Sequence, residues 1–250
     1  MNIIEIKNLS HRFSDGAWGI KNINLSFSKD EFVIISGKNG SGKTLLMRHI
    51  TGLVSPTEGS VFYCGKPVNS CLEEVRRKIG LVFQDADPQL ICQTIEDELR
   101  FGPENACLPE EVIQTRTERV INILGLEDKR FVSPRNLSGG EKRRLAIGSV
   151  LTLEPDIIIL DEPFANLDYP GVVNVLRLLL ELKDKGHGIV IITHELEKTL
   201  AHADRLIIIE NGMIKEDGDS KEIAPKAGIY SLHPLDFTLR TFKEHTWLVS

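Results

Sequence analysis

The spacing of apolar residues along this chain changes several times, and each change marks an element. Residues 3–9 alternate apolar and polar, as do residues 23–27, which predicts two half-buried strands. Residues 32–35 are an unbroken apolar run, the mark of a strand buried on both faces. A glycine-rich stretch at 37–42 follows, and then apolar residues at helical spacing over 45–50. The predicted order is strand, glycine loop, helix. A short apolar strand is predicted at 80–83. From 84 to about 135 the texture turns polar and helical, with Pro88, Pro103 and Pro109 as expected breaks. Within it, residues 110–124 put Val112, Ile113, Val120, Ile121 and Leu124 near one helical face. Beyond 138 a helix is predicted over 141–151. Buried-strand runs then return at 156–160 and 188–192, with a helix over 172–182 between them. Residues 205–209, Asn211-Gly212 and 213–215 read as a closing hairpin with a tight turn.

Strands alternating with helices predict an α/β fold whose parallel sheet is covered on both faces. The expected layout is a core from 1–84 and 141–225, a helical insertion at 85–140, and a C-terminal extension at 226–250. With 41% hydrophobic and 26% charged content, 250 residues bury a core of ordinary size, which excludes disorder. The apolar runs at 157–160 and 206–209 fall far below the ~20 residues a membrane-spanning helix needs. The first residues, Met1 to Glu5, lack a basic stretch and an apolar h-region, so a cytosolic location is expected. A net charge of −6 argues against a broad nucleic-acid-binding face. The four cysteines, Cys64, Cys71, Cys92 and Cys107, form no C-x-x-C pair, so neither a zinc site nor a disulfide framework is expected.

Gly37-Lys38-Asn39-Gly40-Ser41-Gly42-Lys43-Thr44 matches G-x-x-x-x-G-K-[ST]. Glycines let the backbone curl until its N–H groups converge on phosphate oxygens, and the following helix adds its positive end. Lys43 would reach the β- and γ-phosphates and Thr44 would hold Mg²⁺. This chain's composition would yield such a match by chance in about 1 chain in 100, and its place between buried strand and helix lowers that further. A second constellation is Ile157-Ile158-Ile159-Leu160-Asp161-Glu162, a buried strand ending in two carboxylates at the edge where open parallel sheets bind ligands. Asp161 suits a water-mediated Mg²⁺ contact, and Glu162 suits a general base toward a water beyond the γ-phosphate. Together the two motifs read as a nucleoside-triphosphate hydrolase.

Leu137-Ser138-Gly139-Gly140-Glu141, a helix start offering a second phosphate-binding cap, lies between them. With all three motifs the chain resembles the ATP-binding-cassette (ABC) ATPases over roughly residues 1–225. The resemblance implies a RecA-like P-loop core with an antiparallel β subdomain and an inserted helical subdomain. It implies ATP and Mg²⁺ as ligands, and a head-to-tail dimer in which residues 137–141 close over the partner's ATP. Gln84 matches the family's Q-loop glutamine, which senses Mg²⁺ and water. His194 matches the switch histidine at the γ-phosphate, Asp168 the D-loop, and Phe13 the aromatic that stacks on adenine. Two positions depart from the pattern: Leu45 replaces a hydroxyl beside the α-phosphate, and Asp30 replaces a glycine ahead of the buried strand.

Within the family, Val82-Phe83-Gln84-Asp85, Pro88-Gln89-Leu90, Thr94-Ile95-Glu96-Asp97-Glu98 and Phe101-Gly102-Pro103-Glu104-Asn105 resemble the ATPases of energy-coupling-factor importers of vitamins or metal ions. Ala86 stands where those proteins usually carry proline. That resemblance implies a second ATPase subunit, identical or paralogous, and integral membrane subunits docking near 85–99, at the cytoplasmic face of the cell membrane. A soluble ABC ATPase acting on nucleic acid or in translation or repair is the alternative, but the interval from glycine loop to residue 137 holds no sustained heptads, and the chain has one cassette where translation-type members usually carry two. Asp85, Asp87, Glu96, Asp97 and Glu98, interleaved with Leu90, Ile91, Ile95 and Leu99, predict a surface both acidic and apolar, suited to a basic helix. Tyr230, Leu232, Leu235, Phe237, Leu239, Phe242 and Trp247 lie beyond the last motif, and packing on the chain's own core and a subunit contact are both open for them.

Overall fold

The computed structural model of the chain describes residues 2–230, 232 and 241–248. Two long strands, β1 (Asn2–Arg12) and β2 (Trp18–Ser28), pair antiparallel at the start. The buried run becomes β3 (Phe32–Ser36), and the glycine loop leads into α1 (Lys43–Ile50). β4 (Glu58–Tyr63) and the two-residue β5 (Lys66–Pro67) complete an antiparallel sheet of order β2-β1-β4-β5. α2 (Leu72–Lys78) feeds β6 (Ile79–Val82). The insertion follows as α3 (Ile95–Asn105) and α4 (Glu110–Leu124). α5 (Gly139–Leu151), β7 (Ile157–Asp161), α6 (Tyr169–Asp184) and β8 (Gly188–Ile192) return the chain to the core. The closing hairpin is β9 (Arg205–Glu210) and β10 (Met213–Asp219), with a short α7 (Ser220–Ile223) after it.

The second sheet runs β10-β9-β3-β8-β7-β6, and from β9 to β6 its strands are parallel. All five residues of β3, β7 and β8 are buried, because helices or the first sheet cover both faces. Alternate side chains divide the interior in two. Ile34, Ile158, Leu160, Ile189 and Ile191 join α5, α6 and the insertion helices. Val33, Ile35, Ile157, Ile159, Val190 and Ile192 join α1 and the antiparallel sheet. The β9–β10 turn has Asn211 at φ 50° and Gly212 at φ 72°, the two positive angles a tight hairpin turn needs.

The insertion docks on α5 at Gly148. A Cβ there would come within 2.5 Å of Leu124 and 3.1 Å of both Leu99 and Val120, so only glycine permits this approach of α3 and α4. Pro103 lies inside the last turns of α3, where a break was expected. Pro109 does start a helix, as the residue ahead of α4.

Of the tail, Leu232 is buried, and Tyr230, Phe242 and Trp247 pack against the chain's own core. Leu235, Phe237 and Leu239 lie outside the described residues. Among the described residues no helix is long and apolar enough to cross a membrane.

Candidate functional site

Parallel pairing brings the chemistry to one edge. Val82 of β6 pairs with Leu160 of β7, and Asp161 of β7 with Ile192 of β8. The residues just past these strand ends are Gln84, Glu162 and His194, so they emerge side by side beyond the carboxyl ends, where β3 also releases the glycine loop.

That loop presents its backbone to a ligand. Gly42, at φ 105°, precedes α1 and supplies no side-chain cap, which leaves the first N–H groups of α1 open to phosphate. A Cβ on Gly37 would fall 2.1 Å from the carbonyl oxygen of Ile209, so the loop can lie against β9 only as glycine. Lys43 is buried and curls back, with Nζ donating to the carbonyls of Gly37 (2.6 Å) and Lys38 (2.9 Å). Burial lowers its pKa, and the charges of Glu162 and Asp161 pull the other way.

Thr44 and Asp161, 117 positions apart, meet as Thr44 Oγ1 donates to Asp161 Oδ2 at 3.1 Å. Burial raises the Asp161 pKa, and the neighbouring Glu162 charge adds to it. A hydroxyl beside a buried carboxylate whose charge is under-compensated fits a hard divalent cation, because the cation would supply the missing positive charge. Glu162 is buried, at φ 43°, a strained angle for a glutamate. Its carboxylate accepts from Thr193 Oγ1 (2.9 Å) and His194 N (3.2 Å), and lies 2.7 Å from His194 Nδ1. The ring of His194 is half exposed, with its far edge free to meet a ligand.

Phe13, Gly40, Lys43, Thr44, Gln84, Asp161 and Glu162 line a cleft of about 340 Å³, whose lining does not include His194. Phe13 sits on its wall, in the turn between β1 and β2, half exposed and edge-on to His11 at 5.2 Å. Leu45 fills the place of the missing hydroxyl by packing on Gly19, where an added Cβ would meet it at 2.5 Å. Lys38, Asn39 and Ser41 complete the loop, and the buried Ser41 hydroxyl has no partner.

The 137–141 motif faces elsewhere. Leu137 is buried, while Ser138 and Gly139 are exposed. Ser138 caps α5 reciprocally with Glu141: Ser138 Oγ accepts from Glu141 N (3.3 Å), and the Glu141 carboxylate accepts from Ser138 N (2.9 Å). The Lys129 ammonium, 2.6 Å from Glu141, and these Ser138 contacts hold the Glu141 carboxyl below its usual range. Gly139 lines a separate cavity of about 460 Å³ with Asp87, Lys142, Arg143 and Asn166. Gln84 lines both cavities. Asp168 is committed to the start of α6, where Oδ1 accepts from Gly171 N at 3.0 Å.

The sequence reading missed Arg143. It is buried in α5, and its guanidinium donates to the main-chain carbonyls of Phe83 and Gln84. Burial lowers its pKa, with the charges of Asp85 and Asp161 opposing. In the run Lys142-Arg143-Arg144 nothing distinguishes it but its helical position: it falls on the face that continues to Ile147 and Leu151.

The acidic and apolar surface expected over 85–98 is formed only in part: Asp85, Asp87, Ile91 and Asp97 are exposed. Glu98 is buried and its carboxylate accepts from the N–H groups of Ile91 and Cys92, both at 2.9 Å. Glu96 is held by Arg130 at 2.7 Å, Asp87 pairs with Lys142, and Ile95 and Leu99 are fully buried. The helical period of α3 turns residues 95, 98 and 99 inward, which a charge count along the chain does not register.

The profile of the ABC transporter family matches residues 20–165. The chain belongs to this family. It is 38% identical over 226 residues to the energy-coupling factor transporter ATP-binding protein EcfA of Methanocaldococcus jannaschii, covering 89% of this chain and 81% of that protein. In structure it resembles CbiO1 of Clostridium perfringens, described as part of the cbiONQ ABC transporter complex, with TM-score 0.84, 32% identity, and 98% and 97% of the two chains covered. It also resembles the cassette MJ0796, solved as a dimer in a post-hydrolysis state with ADP and phosphate, with TM-score 0.76, 29% identity, and 87% and 98% covered. The fold is that of the ABC ATPases, and this ABC chain is an ATP-binding ATPase.

Proposed function

We propose that this ABC ATPase is the ATP-hydrolysing subunit of an energy-coupling-factor importer. It would work at the cytoplasmic face of the cell membrane and power uptake of a metal ion or vitamin through membrane partners. The observation that carries the hydrolytic part is the buried Glu162, aimed by Thr193 and His194 into the cleft that the glycine loop opens. The names of the relatives support the importer part, and they do not favour a nucleic-acid ATPase.

In this reading residues 37–44 bind the triphosphate, and Lys43 exchanges its two carbonyl partners for phosphate oxygens. Phe13 stacks on the base. Thr44, with Asp161 and Gln84, would hold Mg²⁺, which when bound would offset the negative charge of the phosphates. Glu162 takes the proton of the attacking water, and His194 keeps the carboxylate oriented while its exposed edge contacts the γ-phosphate. Ser138 to Glu141, turned away from this cleft, would close over the ATP of a second subunit, identical or paralogous. Membrane subunits would dock on what remains exposed near 85–99, including Asp85, Asp87, Ile91 and Asp97, together with Phe101 one turn beyond Asp97.

Extraction of membranes with a mild detergent, capture through this subunit and reconstitution of the captured complex into vesicles would test the whole reading. ATP-driven uptake of a metal ion or vitamin, lost with Glu162→Gln, is expected. A purified ATPase that brings down no integral membrane protein and is stimulated by DNA or RNA would overturn it.

A further inference from the structure

The segment 241–248 folds back onto the start of α6 and the short helical turns at 196–202. Trp247 stacks on Tyr169 with ring centres 5.6 Å apart, and Tyr169 Oη donates to the Trp247 carbonyl at 3.0 Å. Tyr169 directly follows Asp168. On the other side the Lys198 ammonium lies 4.8 Å above the Trp247 ring, and Trp247 N donates to the Lys198 carbonyl at 3.3 Å. Two further contacts tie the same strand of chain down: Ala201 N donates to the His245 carbonyl (3.0 Å), and His202 Nε2 meets Thr246 Oγ1 at 2.8 Å.

From Lys198 the contacts run on to the carboxylate proposed to activate water. Lys198 Nζ, buried, donates to Glu195 Oε2 at 2.6 Å. Glu195 N donates to Thr193 Oγ1 at 3.0 Å, and Thr193 Oγ1 donates to Glu162 Oε2 at 2.9 Å. Each link fixes the next: the indole face holds the ammonium, the ammonium holds the Glu195 side chain, and the Glu195 amide sets the hydroxyl direction at Thr193. Glu162 itself sits at a strained backbone angle, so its carboxylate depends on such partners for its aim.

We propose that Trp247 is a positioning residue for ATP hydrolysis, holding Glu162 in line through Lys198, Glu195 and Thr193. The proposal rests on Glu162 being the group that activates water. It makes the C-terminal segment part of each chain's own active site rather than only a cover for the core.

Steady-state kinetics on the full chain test it. Trp247→Ala is expected to lower kcat about threefold to thirtyfold, the span that energetic coupling through packed networks covers, with KM for ATP unchanged. Trp247→Phe should restore most of the rate, since an aromatic face still meets Lys198. Trp247→Ala combined with Thr193→Val should be no slower than Thr193→Val alone, because both break one relay. A second measurement does not depend on a destabilised variant. The chain has two tryptophans, so Trp18→Phe leaves Trp247 as the sole indole reporter, and its emission should shift when ATP binds. A wild-type kcat for Trp247→Ala, losses that simply multiply in the double variant, or emission blind to ATP would overturn the positioning role. If Glu162→Gln turns over at the wild-type rate, the assignment of Glu162 fails instead; a slow Glu162→Gln beside a normal Trp247→Ala removes the positioning role alone.

Discussion

Arg143 holds the main-chain carbonyl of Gln84, so the helix that begins at Ser138 and the loop that reaches the nucleotide cleft are tied by one buried guanidinium. Phe83 is held by the same group. Gln84 lines both cavities of the site, and Arg143 lines the one beside Gly139. A shift of α5 must therefore either carry the 83–84 backbone with it or break these bonds. This gives a physical route by which nucleotide at Gln84 and a partner at Ser138 can sense one another.

Replacing Arg143 with Leu keeps bulk but leaves two carbonyls without their donor. A fully buried unpaired acceptor costs about 1–3 kcal/mol, and these part-buried carbonyls should cost less than that each. The urea midpoint is expected to fall, and the ATPase rate should lose its dependence on subunit concentration more than its affinity for ATP. Arg143→Leu with unaltered midpoint and rate would separate α5 from the loop.

Glu162→Gln tests the chemical step. The variant keeps the shape of the side chain and should still bind ATP, but hydrolysis should slow by the ~10²–10⁴-fold that loss of a general base costs. Lys43→Ala, by contrast, should weaken nucleotide binding itself, because the ammonium is the loop's proposed phosphate ligand. Fluorescent-nucleotide titration beside single-turnover hydrolysis resolves the two. Near wild-type hydrolysis by Glu162→Gln would exclude it from the mechanism.

The acidic run shows where reading along the chain stopped. Asp97 is exposed, whereas its neighbour Glu98 is buried under the turn at 91–92. Glu98→Gln should cost about 1–3 kcal/mol, since a neutral amide accepts those N–H groups less well. Asp97→Lys should shift stability by under about 1 kcal/mol and act instead on capture of the membrane partner. Thermal denaturation and detergent pull-down of the two single variants distinguish structure from docking. Normal capture and uptake by Asp97→Lys would move the docking surface off this face of α3.

The strands of the larger sheet, β1 and β2, α4, the glycine loop and the closing hairpin were legible because local rules govern them, whereas β4 and β5 of the antiparallel sheet were not foreseen. Doubly buried strands are continuous apolar runs, and Asn211-Gly212 has the angles its turn needs. Legible too were Lys43, Thr44, Asp161 and Glu162 as candidates, since motif spacing places each at a strand end or helix start. Contacts between residues distant in sequence were not. Arg143 with Gln84, Gly148 against Leu124, and Trp247 with Tyr169 depend on how helices cross, and no period along the chain encodes that. Asp30 is a departure with a visible consequence. It sits at φ 71°, the left-handed region that glycine enters freely, and Asp30→Gly should relieve strain of about 1 kcal/mol.

His49 predicts an acid sensitivity. It is fully buried in α1, 5.0 Å from His11, and burial followed by the His11 charge lowers its pKa to about 4. The unfolded chain binds a proton at this residue below its ordinary 6.5, and the folded chain does not until about 4. The unfolded state thus binds more protons in that window, so stability is full above pH 6.5, falls as the pH drops toward 4, and levels off below it. The total loss from this group is about 3 kcal/mol. In urea melts between pH 7 and 4, His49→Leu should flatten the slope relative to the parent. Parallel slopes would place the acid sensitivity in other groups.

The proposed composite site makes the strongest demand on a second subunit. Gly139 lines a different cavity from the one that holds Lys43 and Glu162, and Ser138 lines neither, which supports the proposal that the 137–141 motif serves a second subunit's ATP. Ser138 and Glu141 still spend their hydrogen bonds on one another, which leaves the first N–H groups of α5 directed at whatever approaches from outside. If a second subunit brings ATP there, Ser138→Arg should block that approach while leaving the chain's own glycine loop intact. Lys43→Ala should disable the loop while leaving the Ser138 end intact. Each variant alone, as a homodimer, carries two defective sites. A mixed dimer has one site with both defects and one with neither, so mixing should restore up to about half the wild-type rate per dimer. ATP should also favour the dimer, most visibly with Glu162→Gln, because nucleotide binds the closed pair preferentially. Activity strictly linear in protein concentration, with no recovery on mixing, would show that each chain completes its own site.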